Sequence, residues 1–212
     1  MNRKTNRNPN RKKITVKRTA NAFISMLALS LALPSIATAE TAEEKGYKIM
    51  LEMEKRDEGW SDAEADLEMI LRKPNGVEVV RKISNQSLEG ESGEDKSIVE
   101  FKEPLDVRGT MFLTHSKALE PDDQWIFLPA LKRTKRISSK RQTGRFMGSE
   151  FTYEDMSAFS IHKYDYKYLS EGKCGEPEQD CHIIEVYPKN KYSGYEKAIT
   201  YFDKEHLRMY RN

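Results

Sequence analysis

DAEADLEMILRKPNGVEVVRKISNQS (residues 62–87) is the stretch that decides the fold class. In its first half Ala63, Ala65, Leu67, Met69 and Leu71 alternate with Asp62, Glu64, Asp66 and Glu68, and Ile70 alone breaks the pattern. A period of two sends successive side chains to opposite faces of an extended chain, so this is a strand with one wet and one dry face. Lys73-Pro74-Asn75-Gly76 then reads as a turn, Pro presetting φ and Asn-Gly accepting positive φ. Residues 77–87 return as the antiparallel partner.

Working outward, most of the chain repeats that pattern. Strands are predicted at residues 97–102, 107–115, 123–128, 131–138, 163–169, 182–187 and 195–202, joined by polar or Gly-bearing turns. One helix precedes them. Thr41 with Glu44 three residues on forms a capping box, and Ala42, Ile49, Met50 and Met53 recur near helical spacing up to Arg56. A leading helix followed by successive strands implies an antiparallel meander of the α+β class rather than βαβ units. A one-sided sheet of this size must cover its dry face. With little material for a second sheet, the expectation is a curled antiparallel sheet, an incomplete half-barrel around the N-terminal helix and a loop plug.

The N-terminus carries an export signal. Arg3, Lys4, Arg7, Arg11, Lys12, Lys13, Lys17 and Arg18 precede an apolar run from Ala22 to Leu33, then Pro34 and the small-residue site Ala37-Thr38-Ala39. Such a run is too short for a span of ~20 residues, and the pattern is that of a Sec signal peptide cleaved after Ala39. Residues 1–39 are therefore a leader, 40–212 form the mature domain, and the expected compartment is the periplasm. The whole chain has 36 Lys+Arg against 34 Asp+Glu, but eight of the basic residues lie in the leader. The mature part keeps 28 basic against 34 acidic residues, a net charge of −6. The basic balance belongs to the leader, and nucleic acid is not an expected partner.

Cys174 and Cys181 flank GEPEQD. In an oxidising compartment they read as a disulfide stapling a hairpin. The rival reading, a metal site of Cys174, Cys181 and His182, lacks a convincing fourth ligand among His115, His162 and His206.

Two features of residues 125–156, WIFLPALKRTKRISSKRQTGRFMGSEFTYEDM, bear on function. Lys132, Arg133, Lys135, Arg136, Lys140, Arg141 and Arg145 form a basic run without an acid, either a solvated strand face or a docking patch for head groups or an acidic partner. Arg133, Arg136 and Arg141 are its candidate docking residues. The loop that follows holds Phe146, Met147, Phe151, Tyr153, Met156 and Phe159, too apolar for an idle surface, and reads as a plug or lid over the sheet or as core packing. Its Ser149, Glu150, Glu154 and Asp155 have neither a neighbouring His nor calcium-loop spacing. No nucleophile is paired with a base, so no enzyme, cofactor or metal is expected. Met and aromatic residues on the dry faces suit irregular apolar ligands. The candidate hollow is Leu67, Met69, Leu71, Met111, Leu113, Trp125, Phe127, Phe146, Met147, Phe151 and Tyr153.

WIFLPALKRTKRIS and GRFMGSEFTYEDM, with the Gly109 to Leu113 strand and YEKAITYFDK (residues 195–204), resemble the outer-membrane lipoprotein-sorting protein family, a LolA-like group. The family motif falls on Trp125, Phe127, Pro129, Arg133, Arg136, Phe146, Gly148, Ser149, Phe151, Tyr153 and Asp155. The resemblance implies a half-barrel with an apolar hollow for lipid or lipoprotein acyl chains. It also implies a monomeric carrier whose partners are an inner-membrane transporter of the resistance-nodulation-division type or an outer-membrane acceptor. A non-enzymatic sensor or adaptor regulating an envelope-stress factor or such an exporter is the alternative. The family pattern continues past residue 204 for several strands, so the domain is expected to be incomplete at its C-terminus.

Overall fold

In the computed structural model, residues 39–211 are described. The expected leader, apart from Ala39, lies outside them. Helix α1 (Ala42–Arg56) starts where the capping box places it. The Glu44 backbone N–H donates to Thr41 Oγ1 at 3.1 Å, and the Thr41 N–H donates to Glu44 Oε2 at 3.0 Å. Glu43 and Glu44 sit in its first turn and Lys55 and Arg56 in its last, each sign facing the favourable end of the helix dipole.

Ten strands follow. β1 (Asp62–Arg72), β2 (Glu78–Leu88), β3 (Lys96–Glu103), β4 (Met111–His115), β5 (Asp123–Leu128) and β6 (Arg133–Ile137) form one antiparallel sheet in chain order. β7 (Tyr164–Cys174), β8 (Gln179–Pro188), β9 (Ala198–Asp203) and β10 (Met209–Arg211) form a second. Neither sheet closes into a barrel; the α+β class and the open, curled form agree with the sequence reading. The second sheet corrects the expectation of a single one. Residues 138–163 intervene between β6 and β7 as loop and short helical turns, so the ladder breaks there and starts again.

Helix and plug accordingly cover different sheets. α1 packs on β7, where Met50 is fully buried among Ile161, Tyr166, Ile184, Val186 and Phe202. Gly46 eases the approach: a Cβ there would lie 3.0 Å from the Tyr168 backbone nitrogen, so that the strand would have to give by a few tenths of an ångström. The plug instead packs on the six-stranded sheet. Phe146 is buried against Phe112 (ring centroids 5.0 Å apart), Tyr153 (5.7 Å) and Phe101 (6.0 Å). Edge-on and tilted ring contacts of this kind favour aromatic pairs over random packing.

Two local devices complete the second sheet. Cys174 and Cys181 are joined across the β7–β8 hairpin, which takes both thiols and removes the metal reading. Asp203 organises the turn into β10. Its buried carboxylate accepts from the backbone N–H groups of Glu205 (3.1 Å), His206 (2.5 Å) and Arg208 (2.7 Å). Burial pushes this carboxyl up, but the donors of His206, Arg208 and Glu205, with the His206 ring, outweigh it and hold the group below its ordinary value. A depressed folded value means stability that is present above the ordinary carboxylate range near ~3.9 and lost as pH falls through the folded value. Asp203→Asn should therefore lower the urea midpoint at neutral pH, and its deficit should shrink as the pH drops below about 4. A deficit that stays constant with pH would show that the charge contributes nothing.

Candidate binding site

The six-stranded sheet is apolar on both faces over β3, β4 and β5. Cross-strand partners share a face, so the register sorts the side chains. Val99 lies opposite Phe112 and Phe112 opposite Ile126, and these three belong to the plug side. Ile98 lies opposite Leu113, Leu113 opposite Trp125 and Met111 opposite Phe127, all on the other side. There Ile98, Met111, Leu113, His115, Trp125, Phe127 and Thr134 line an open hollow of about 470 Å³. His115 stands edge-on to the Trp125 ring with centroids 5.2 Å apart. Apart from His115 and Thr134 the wall is hydrocarbon or indole.

The same face carries a charged cluster at Asp123, which lies opposite His115. Asp123 accepts from Arg136 and pairs with Lys117 at 3.1 Å. The Arg136 guanidinium first, then the Lys117 ammonium, hold its carboxyl below the usual carboxylate range. Arg136 faces the hollow side because it lies opposite Trp125, whereas Arg133 and Lys135 lie opposite Leu128 and Ile126 on the plug side. The basic run is thus split between two faces, and Arg141 sits beyond β6 in a short helical turn.

The residues picked from the sequence divide in the same way. Met111, Leu113, Trp125 and Phe127 meet in the hollow. Phe146, Met147 and Tyr153 pack against the opposite face as core. Leu67, Met69 and Leu71 also belong to that face, since Leu67 lies opposite Ile83, and Ile83 opposite Phe101. Met69 reaches the plug core, while Leu67 stays half exposed. Phe151 is exposed on the plug. The set therefore does not converge on one cavity. Ile98, His115 and Thr134 were missed; His115 could have been found as the residue two after Leu113, whereas Ile98 and Thr134 reach this face through the pairing of β3 with β4 and of β6 with β5.

The plug is pinned rather than free. Buried Gln124 donates to the Tyr153 carbonyl (2.9 Å) and to Ser157 Oγ (3.3 Å), and accepts from Gln142 Nε2 (3.1 Å). Arg81 donates to the Met147 carbonyl at 2.6 Å, holding a residue whose φ is +50°. The satisfied, buried amides of Gln124 and Gln142 rigidify the core and favour plug over lid, although Arg81 Nε is buried without a partner among the described residues. The polar residues of the loop serve a local turn and ties to residues 194 and 195. Asp155 accepts from the Thr152 N–H and from the Tyr195 hydroxyl, each at 2.7 Å, and Glu154 from the Gly194 N–H at 2.8 Å. Among the described residues no group of three or more His, Cys, Asp or Glu side chains is placed to hold a metal ion, and no helix is long and apolar enough to cross a membrane.

A curled antiparallel sheet, plugged on one face and open as an apolar trough on the other, defines a fold of the open half-barrel type. The comparisons agree. The chain is 47% identical to a domain from Vibrio parahaemolyticus assigned to outer membrane lipoprotein sorting, with a TM-score of 0.75, covering 79% of this chain and 70% of that one. It is 27% identical to a DUF1329 family protein from Desulfovibrio piger, with a TM-score of 0.73, covering 80% and 71% respectively. A LolA superfamily protein from Nitrosomonas europaea, 18% identical with a TM-score of 0.55 over 81% and 70%, shares the fold. A family model described only as "Uncharacterized protein" matches residues 93–212. No curated protein matches the sequence. The chain belongs to the outer membrane lipoprotein-sorting protein family.

Proposed function

We propose that this protein is a periplasmic carrier that holds a lipid or lipoprotein acyl chain in the hollow of Ile98, Met111, Leu113, Trp125 and Phe127, and performs no chemistry on it. One observation supports this reading above the others: the sheet centre is apolar on both sides, yet the described residues cover only one of them. An antiparallel sheet that needs just one core face ordinarily turns polar residues to water on the other. A contiguous uncovered apolar surface marks a place for a partner, and a volume of about 470 Å³ lies within the range of ligand pockets. The N-terminal export signal puts such a trough where lipids and lipoproteins cross between membranes. At roughly 0.8 kcal/mol per buried methylene, a handful of methylenes would offset several kcal/mol of association cost.

Native mass spectrometry and lipid extraction of the protein purified from the periplasm test this directly. Bound acyl lipid near one equivalent is the expected result. Preparations that never contain lipid and never take up a fluorescent fatty acid would retire the carrier reading.

A further inference from the structure

Among the described residues the six-stranded sheet ends in two unpaired edges, and they carry opposite charge. β6 pairs with β5 and with no other strand among the described residues, so its outer row of backbone N–H and C=O groups is open. Arg133, Thr134, Lys135 and Arg136 are all exposed along it. Arg136 is engaged by Asp123, but Lys132, Arg133, Lys135 and Arg141 form no ion pair with any described residue. β1, the opposite edge, presents Asp62, Glu64, Asp66 and Glu68 from one face. Charge on an edge strand normally guards it against pairing. A guard of a single sign repels cations and neutral strands but invites an acidic one.

The direction of the unpaired cations narrows the occupant. Arg133 and Lys135 project on the plug side, two residues apart, which is the spacing of one face of an extended strand. A phospholipid surface would make no use of an open strand edge. A second copy of this chain fits poorly too. Glu64 lies opposite Gln86 and Asp66 opposite Ser84, on the hollow side, so a sheet continued by β1 in the same sense would bring its acids to Thr134 and the already neutralised Arg136. We propose that the outer edge of β6 takes an added strand, an extended polypeptide segment with acidic side chains at alternate positions that face Arg133 and Lys135. Main-chain hydrogen bonds would supply the affinity and the alternating charges the selectivity, as in other recognition by strand addition.

The test uses the full mature chain and a labelled peptide of about eight residues alternating Glu with Thr, read by fluorescence anisotropy; a strand that short is within the usual range. Binding should weaken with salt and fall at least tenfold in the Arg133→Glu, Lys135→Glu double variant. The same peptide with alternate backbone nitrogens methylated should also bind at least tenfold more weakly, since it cannot complete the ladder. Hydrogen exchange should slow at the β6 amides when the unmodified peptide binds. Equal affinity for the methylated peptide would overturn strand addition, leaving only diffuse charge attraction. Capture of phosphatidylglycerol vesicles without peptide binding, or assembly of the protein with itself through this edge, would overturn it as well. Leu113→Glu, a change in the hollow, should leave peptide affinity unaltered, so the outcome does not depend on whether the hollow carries lipid.

Discussion

Leu113→Glu should empty the hollow, with bound lipid falling at least tenfold while the fold survives. Leu113 lies at the centre of the trough, between Ile98 on one neighbouring strand and Trp125 on the other. It is only half buried, so a carboxylate placed there stays in reach of water in the free protein. An acyl chain laid over it would have to strip that water. Burying an unpaired charge costs several kcal/mol, and every 1.4 kcal/mol is a factor of ten in affinity. The control is Leu67→Glu, which adds the same charge to the same sheet but on the plug side, at an exposed position. Lipid content measured by extraction should be lost in the first variant and kept in the second. The reverse result would move the site to the plug face; loss in both would point to a general electrostatic or stability effect, which thermal melts would separate.

That pair of variants also marks where the sequence could be followed and where it could not. The capping box of Thr41 and Glu44 gave α1 to the residue, because its signal is local. The Pro-Asn-Gly turn gave the β1–β2 hairpin for the same reason. The facing of β4 and β5 was another matter. Met111, Phe112 and Leu113, like Trp125, Ile126, Phe127 and Leu128, are unbroken apolar runs, and a strand apolar on both sides has no period of two to read. Within β1 the alternation was clear, but its phase relative to β4 depends on the loops between strands. Residues 99 and 112 come to share a face only through the turn at 104–110. A one-residue change in such a connection would exchange the faces. Leu67, Met69 and Leu71 were therefore grouped with Met111 and Trp125 although the sheet lies between them. In the basic run the alternation was legible: it puts Arg133 and Lys135 on one face and Arg136 on the other, and the pleat keeps them there.

Asp122→Ala should be the most damaging single substitution away from the hollow, and its cost follows from its partners. The Asp122 side chain is fully buried and pairs with Lys163, itself 14% exposed. The same carboxylate accepts from the backbone N–H groups of Lys117 and Ala158, both at 3.0 Å. It thus fastens the start of β5, the end of the plug and the approach to β7 at one point. Removing one member of a buried ion pair leaves the other charge without compensation, at about 3–5 kcal/mol, and two backbone donors lose their acceptor besides. Against a total of roughly 5–15 kcal/mol for a domain, such a loss takes a large share of the stability. Urea unfolding should show it, and hydrogen exchange should locate it at residues 157–163 first. Asp122→Asn combined with Lys163→Met removes both charges while keeping an acceptor for the backbone, and should recover much of the difference. If the double variant is no better than Asp122→Ala, the carboxylate acts through its backbone bonds and the ion pair is incidental. The functional consequence separates the two faces again. Loosening the plug would uncover Phe112, Ile126 and Phe101, giving the sheet a second apolar surface. A dye for exposed apolar surface should then bind more strongly while the trough of Leu113 and Trp125 keeps its lipid, because the plug is built to fill one side of the sheet so that the other can be left open.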